Sequence, residues 1–452
     1  VPTTRLTSRC ATVPAALALG VLVAALARTV TGGGTLGNPR PLYGWYLADL
    51  ALFAIAMALL RRVPSRHVAP LVLAGSLAVA ATGLLAPPRT SDDAYRYVWD
   101  GRVQAAGISP YTYAPDAPAL VGLRDPALFP ADSACTAWNE HRTVAGACTH
   151  INRPGVHTIY PPVAEIWFLG LHAAHGTVRT VQVGGALLAV TTTGALLLIR
   201  RQNWRAGLWG WFPGIAIWSV NDAHVDTLGA LLLVLGLALA VRRHAVAGGV
   251  ALGAAIATKL IPALALPGAM SGLLARRPRF RDLLLPATAL LTVALVYVPY
   301  VVASGAGVIG YLPGYLREEG YEDATIDRFG LLRLVVPANW APYAAALVLT
   351  AVVLYVLRRG DPARPWSGAL LVTGTALLLV APAYPWYGLL VVALVALDGR
   401  WEWLAVPAAA QALYLFGSDT QQPAYLAALV VVLLGTALRR SGGLAKKIRS
   451  AR

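Results

Sequence analysis

Charge is what this chain has least of: acidic and basic residues together make 13% of its 452 residues, about half the fraction usual in soluble domains. A soluble enzyme needs a charged surface, and a disordered chain needs charge in place of apolar residues, so both are excluded. Three cysteines are too few for a disulfide-built secreted scaffold. Also missing are a polar stretch long enough for a soluble domain, an internal repeat, and a small-residue cleavage site after the first apolar run. That run therefore reads as an anchor and not as a removed signal. What is there instead is apolar: 57% hydrophobic residues at a mean hydropathy of +0.60. The expected class is an all-α polytopic membrane protein.

Apolar stretches run over 12–28, 43–60, 68–86, 179–200, 206–220, 224–241, 246–258, 260–275, 283–303, 339–358, 366–382, 386–398, 401–416 and 423–438. They predict about 13–14 transmembrane helices, several shorter than a straight span needs and so tilted, broken or extended by their flanks. The net charge of +16 does not indicate a nucleic-acid partner, because the basic residues cluster on alternate connections. Arg5, Arg9, Arg61, Arg62, Arg66, Arg179, Arg200, Arg201, Arg205, Arg242, Arg243, Arg276, Arg277, Arg279, Arg281, Arg358, Arg359, Arg364, Arg400 and the tail from Arg439 are grouped on one side. The acids there are Asp282, Asp361, Asp398 and Glu402. The positive-inside rule makes that side cytoplasmic and puts both termini there, in a bacterial cell (inner) membrane. Counting Pro161–Ala174 as a span would break the alternation, so it is expected as an interfacial helix.

Two connections are long, 87–160 and 304–338, and both fall on the outer face; ordered loops of that length more often carry function than not. The chain accordingly divides into N-terminal helices (1–86), a periplasmic loop with catalytic and juxtamembrane helices (87–178), a central transmembrane module (179–303), a second periplasmic loop (304–338), and C-terminal helices with a basic cytoplasmic tail (339–452). In the first loop Cys135 and Cys148 face an oxidising compartment, where they either pair or remain two thiols. Cys10, at the cytoplasmic end of the first span, has no expected role. The loop opens Ser91-Asp92-Asp93-Ala94-Tyr95-Arg96-Tyr97-Val98-Trp99-Asp100-Gly101-Arg102. Adjacent carboxylates beside a bilayer either cap the helix that follows or answer to a partner. Arg96, Arg102, Tyr95, Tyr97 and Trp99 give that helix a basic, aromatic make-up suited to a phosphate and a sugar ring.

The arrangement Asp93/Arg96/Tyr97, followed by Gly107-Ile108-Ser109-Pro110-Tyr111-Thr112-Tyr113-Ala114-Pro115, resembles the start of the first outer loop in GT-C glycosyltransferases. These are integral-membrane enzymes that use a polyprenyl-phosphate sugar. Among them the likeness is to actinobacterial polyprenol-phosphate-mannose-dependent mannosyltransferases. Tyr160-Pro161-Pro162 is similar to a segment of the lipid A aminoarabinose transferases and protein O-mannosyltransferases. Asn221-Asp222-Ala223-His224-Val225-Asp226 stands where many members carry a polar motif, and Thr258-Lys259-Leu260-Ile261-Pro262 resembles their Thr-Lys-x-x-Pro break. The resemblance spans residues 85–270 and is architectural beyond residue 300. It implies a GT-C fold with juxtamembrane helices in the first loop. It also implies inverting transfer of a sugar, mannose first, from a polyprenyl-phosphate donor lipid to a hydroxyl of a cell-envelope glycolipid or polysaccharide at the periplasmic face, with no cofactor.

Such transfer needs a base for the acceptor proton and positive charge at the leaving phosphate. Asp93, four before Tyr97, is the expected base, with Asp92 in reserve. Lys259, flanked by apolar residues at an outer helix break, is the expected phosphate ligand; the competing reading is a lysine that snorkels to the interface. Arg96 and Arg102 are expected to assist, with Arg317, Arg328 and Arg333 behind them. Tyr97, Tyr160, Asn221, His224 and Asp226 are expected at the substrate or acceptor, helix capping being the alternative for the last three. Asp222, His224 and Asp226 with His141, His150 and His157 match no zinc spacing, so no metal site is expected. The second loop, with Tyr311, Tyr315, Tyr321, Glu318, Glu319, Glu322 and Asp323, is expected to close over the donor or read the acceptor. Tyr384-Pro385-Trp386-Tyr387 lines a lipid groove or belongs to an aromatic belt. The rival class is a transporter or lipid flippase, which broken helices and intramembrane charge also suit.

Overall fold

The computed structural model describes residues 11–131, 134–199, 203–318 and 328–450. Arg5, Arg9, Cys10, Arg200, Arg201, Glu319, Tyr321, Glu322 and Asp323 lie outside the described residues. Among the described residues the regular structure is helical apart from two antiparallel two-residue strands, β1 (His141–Arg142) and β2 (Cys148–Thr149). Ala, Leu and Val dominate the helices. In hydrocarbon such a segment must satisfy its own backbone, which an α-helix does and an open strand does not. Contacts divide the chain into two compact units, Val1–Ala263 with Arg279–Glu319 and Leu264–Pro278 with Gly320–Arg452.

The first unit holds α1 (Thr12–Thr31), α2 (Arg40–Leu60), α3 (Ser65–Gly83), α4 (Asp93–Ala105), α5 (Pro162–Ala173) and α6 (Val178–Ile199). A π-helical segment (Ile215–Asn221), α7 (Asp226–Val241), α8 (Ala245–Ile256) and α9 (Leu284–Ser304) complete it. Helix α9 buries Leu285 and Ala289 but exposes Leu290, Leu291, Leu295 and Val298, an apolar face that suits lipid and not water. The second unit holds α10 (Ala341–Arg359), α11 (Pro365–Val380), α12 (Leu389–Asp398), α13 (Ala405–Phe416) and α14 (Gln421–Ser450). All ten residues of α12 are buried, so it is the centre of that unit. At its last residue Asp398 pairs with Arg400 at 2.5 Å and Arg364 at 3.1 Å, and just beyond it Glu402 pairs with Arg439. Two of the four acids on the basic side are thereby neutralised by arginines of that side, as buried carboxylates require.

Among the described residues, six helices are long and apolar enough to cross a membrane. They are Thr12–Thr31, Arg40–Leu60, Val178–Ile199 and those within Phe280–Glu318, Ala338–Arg359 and Ser418–Ser441. Ile215–Asn221 and Asp226–Val241 make a seventh if taken as one span bent by 109°. Other apolar stretches form shorter helices, Ala245–Ile256, Ile261–Ala275, Pro365–Val380 and Pro385–Asp398. The expected 13–14 spans thus resolve into fewer full-length helices plus broken and short ones. Helix α5 has 12 residues and rises about 18 Å, too little for a hydrocarbon core of roughly 30 Å. Arg179 requires a correction. It donates to the Leu84 carbonyl, and Gln182 donates to Ala86 at 3.0 Å, so Arg179 sits at the loop end of α6, a whole 22-residue helix away from Arg205.

Candidate active site

The first loop is a folded body with its own core. Tyr97, Trp99, Val103, Leu120, Leu128, Ile151, Tyr160 and Phe168 are buried in one cluster that joins α4 to α5. Tyr97 stacks on Phe168 at 4.3 Å and meets Tyr160 edge-on at 5.0 Å. The two helices approach so closely at Gly101 that a Cβ there would lie 2.4 Å from the Phe168 carbonyl oxygen. The aromatic face of α4 is therefore core packing and not an open sugar platform. Tyr97 and Tyr160, expected at the substrate, form the wall behind the carboxylates instead.

Asp92 and Asp93 do not cap α4. No side-chain cap is made by Asp92, and the Asp93 N–H donates to Ser91 Oγ at 3.3 Å. Their carboxylates reach other parts of the chain. His141 Nε2 lies 2.6 Å from Asp92 Oδ2, and Asn152 Nδ2 donates to both Asp92 Oδ1 (2.8 Å) and Asp93 Oδ1 (2.7 Å). His224 Nδ1 is 3.4 Å from Asp93 Oδ2. Burial pushes the Asp93 carboxyl up, but His224, the Lys259 charge and the Asn152 amide together hold it below the usual carboxylate range. Neither His141 as a partner nor Asn152 carries a motif in sequence; only the folded loop brings them here.

His224 owes its place to the broken span. Residues 222–225 separate Ile215–Asn221 from α7, and Ala223 takes the left-handed region at φ 58°, a strained backbone for a residue with a Cβ. Asn221 and Asp222 hold the break to the start of the loop. Asn221 Nδ2 donates to the carbonyls of Gly83, Ala86 and Pro87, and its Oδ1 accepts from the Arg89 N–H. Asp222 accepts from the N–H groups of Arg89 (3.2 Å), Thr90 (3.0 Å) and Ser91 (3.2 Å) and from Thr90 Oγ1 (2.5 Å). With its amide committed to the backbone, Asn221 is a scaffold residue and not an acceptor contact. Asp222→Ala is expected to lower the melting temperature in detergent, each orphaned buried donor costing about 1–3 kcal/mol; an unchanged melt would show that water replaces the carboxylate.

Across this break stands the second one. Helix α8 ends at Ile256, and Ala257 accepts from the Val163 N–H of α5 at 2.8 Å. Lys259 Nζ reaches Asp226 Oδ2 at 2.6 Å; Asp226 is 2% exposed and Lys259 16%. The lysine is thus ion-paired beside Asp93 and does not simply snorkel. Asp93, His224, Asp226 and Lys259 form an alternating set of acidic and basic groups, and its edge at Asp92, Asp93 and Lys259 remains partly exposed.

The arginines expected at the phosphate are committed elsewhere. Arg96 pairs with Asp100 at 3.0 Å and donates through both terminal nitrogens to the Val156 carbonyl, buried throughout. Arg102 pairs with Asp125 at 2.5 Å and donates to Leu123. Arg328 is buried against the Ala381 carbonyl in the second unit. Each has a carboxylate or carbonyl to satisfy, which a phosphate would have to displace. The start of the second loop packs on the first: Arg153 pairs with Glu318 at 2.7 Å, and Glu318 also accepts from the Tyr311 hydroxyl. Cys135 and Cys148 are disulfide-bonded with Cα atoms 5.4 Å apart. Among the described residues the one cluster with metal-type donors is this pair with Glu140, and its sulfurs are engaged with each other.

A protein-family profile described as alpha-(1->6)-mannopyranosyltransferase, N-terminal domain, matches residues 44–275, just over half of the chain. The matched stretch holds both carboxylates, the two helix breaks and Lys259. No curated protein and no solved structure matches. With its apolar helices and this match, the chain belongs to the alpha-(1->6)-mannopyranosyltransferase family of membrane glycosyltransferases.

Proposed function

We propose that the enzyme transfers mannose from a polyprenyl-phosphate donor lipid to a hydroxyl of a cell-envelope glycolipid or polysaccharide, at the periplasmic face of a bacterial inner membrane. The observation that carries this reading is the convergence of Asp93 with the Lys259–Asp226 pair at two helix breaks beneath an outer loop. Asp93 takes the proton of the acceptor hydroxyl as its oxygen bonds to the anomeric carbon. The bond from that carbon to the phosphate oxygen breaks, and its electron pair leaves with the polyprenyl phosphate. Lys259 turns from Asp226 toward the developing phosphate charge, while Tyr97 and Tyr160 wall the site. A lipid head group enters because broken helices open a polar place at membrane depth without exposing unpaired backbone to hydrocarbon. Purified enzyme in vesicles is expected to move labelled mannose from polyprenyl-phosphate mannose to a mannan acceptor in α-(1→6) linkage. Transfer from a sugar nucleotide alone would overturn the lipid donor.

The orientation is tested separately. A cysteine replacing Val121, 62% exposed in the first loop, is expected to react with an impermeant thiol reagent from the periplasm, and Arg276→Cys only after the membrane is opened. The reverse pattern would put the carboxylates on the cytoplasmic side, away from the proposed acceptor.

A further inference from the structure

Neighbouring carboxylates repel, and one of such a pair ordinarily takes up a proton. Here a single amide engages both: Asn152 Nδ2 lies 2.8 Å from Asp92 Oδ1 and 2.7 Å from Asp93 Oδ1, so its two hydrogens go to the two acids. The remaining oxygens diverge. Asp92 Oδ2 meets His141 at 2.6 Å, so both oxygens of Asp92 have a close donor, whereas Asp93 Oδ2 has the longer 3.4 Å contact to a fully buried His224. Asn152 is itself rigidly placed. Ile151 before it is buried and donates to Thr149 Oγ1, which in turn donates to the Leu128 carbonyl. Arg153 after it sits in the left-handed region at φ 46° with its guanidinium on Glu318. A non-glycine residue held there is a backbone cost that the surroundings must sustain, and it is spent at the point where the amide meets the acids.

We propose that Asn152 is a positioning residue of the transfer reaction. It turns the two carboxylates apart, so that Asp93 alone presents an oxygen to the acceptor hydroxyl while Asp92 stays fixed between Asn152 and His141. The proposal rests on the reading of Asp93 as the base and divides the roles of the two acids within it. The proton passes from the acceptor to Asp93 Oδ2 as the acceptor oxygen bonds to the anomeric carbon and the phosphate leaves with its electron pair. The titratable groups facing Asp93 are Asp92 just before it, His224 and Asp226 at one break, Lys259 at the other, and Tyr97 and Tyr160 behind; the donor that reaches both carboxylates is the Asn152 amide.

The test is the pH profile of transfer by full-length Asn152→Ala, Asn152→Ser and Asn152→Asp in vesicles. For Asn152→Ala, kcat is expected to fall roughly 10–100-fold, the worth of a hydrogen bond to a charged group, with the donor KM little changed. The acid limb of kcat/KM should move up toward neutrality, because the acids lose their shared donor. Asn152→Ser, which keeps one donor, should recover part of both effects, and Asn152→Asp, a third carboxylate, should be the poorest of the three. A thermal melt reports folding, and if the alanine variant is too unstable to purify, the same profile is read on the serine variant. Unchanged kcat, or a loss of kcat with the acid limb unmoved, overturns the proposal. An active Asp93→Asn enzyme would instead remove the base assignment on which it rests, so the two failures are distinguishable.

Discussion

Replacing Asp93 with Asn is expected to lower mannosyl transfer by roughly 10²–10⁴-fold, the worth of a positioned general base, with little change in the melting temperature. The amide has the carboxylate's shape, and its oxygen still accepts from Asn152, so the packing of α4 on α5 is untouched. What is lost is the negative oxygen toward His224. The pH dependence follows from the same contacts. His224, Lys259 and Asn152 outweigh burial and lower the Asp93 carboxyl, so this carboxylate is ionised at neutral and mildly acidic pH. The stability linked to it is present above the unfolded value of about 3.9 and is lost as pH falls through the lower folded value. The acid limb of wild-type kcat/KM is therefore expected below that unfolded value, and to rise in Asn152→Ala. Asp92→Asn is expected to cost less, because Asp92 has both oxygens occupied by His141 and Asn152. The opposite order of effects, read from initial rates, would transfer the base role to Asp92.

The second large effect is at Lys259. Lys259→Ala alone strands the buried Asp226 carboxylate, and breaking a buried pair from one side costs about 3–5 kcal/mol, so its folding and its catalysis fall together. The informative variant is Lys259→Ala with Asp226→Asn, which removes both charges. It is expected to melt near wild type while turnover falls on the order of 10²–10³-fold, as for a lost oxyanion donor. Lys259→Arg should retain part of the rate, since it keeps the charge but changes its geometry. Wild-type donor KM and kcat in the double variant would show that the leaving phosphate is stabilised by another group. Arg96 and Arg102 would be poor substitutes, since Asp100, Asp125 and three backbone carbonyl contacts already hold them.

Hydrophobicity by itself determined the class. A chain with 13% charge folds in a membrane where backbone groups are satisfied within helices, and the alternation of its arginines by itself yields an expected topology. Local chemistry also placed both breaks: Pro262 follows one, and the polar run from Asn221 to Asp226 forms the other, since neither can continue an apolar helix cheaply. Asp92, Asp93 and Lys259 stood out because charge beside apolar sequence needs a reason. Their partners did not. Whether Arg96 meets a phosphate or Asp100, whether Asn221 meets a sugar or three backbone carbonyls, and that Asn152, 59 residues from Asp93, bridges two acids are matters of distance in space. Periodicity reports which face of a helix is apolar but not what packs against it, so the sequence of α4 suits a surface platform, whereas in the fold Tyr97 stacks on Phe168 of α5 and Trp99 packs on Phe129 of the loop. The sequence specified the medium, the helices and the charges it could not hide; the tertiary structure decided which charges are already paired and which edge of the cluster stays partly exposed, because pairing depends on contacts between segments far apart in the chain.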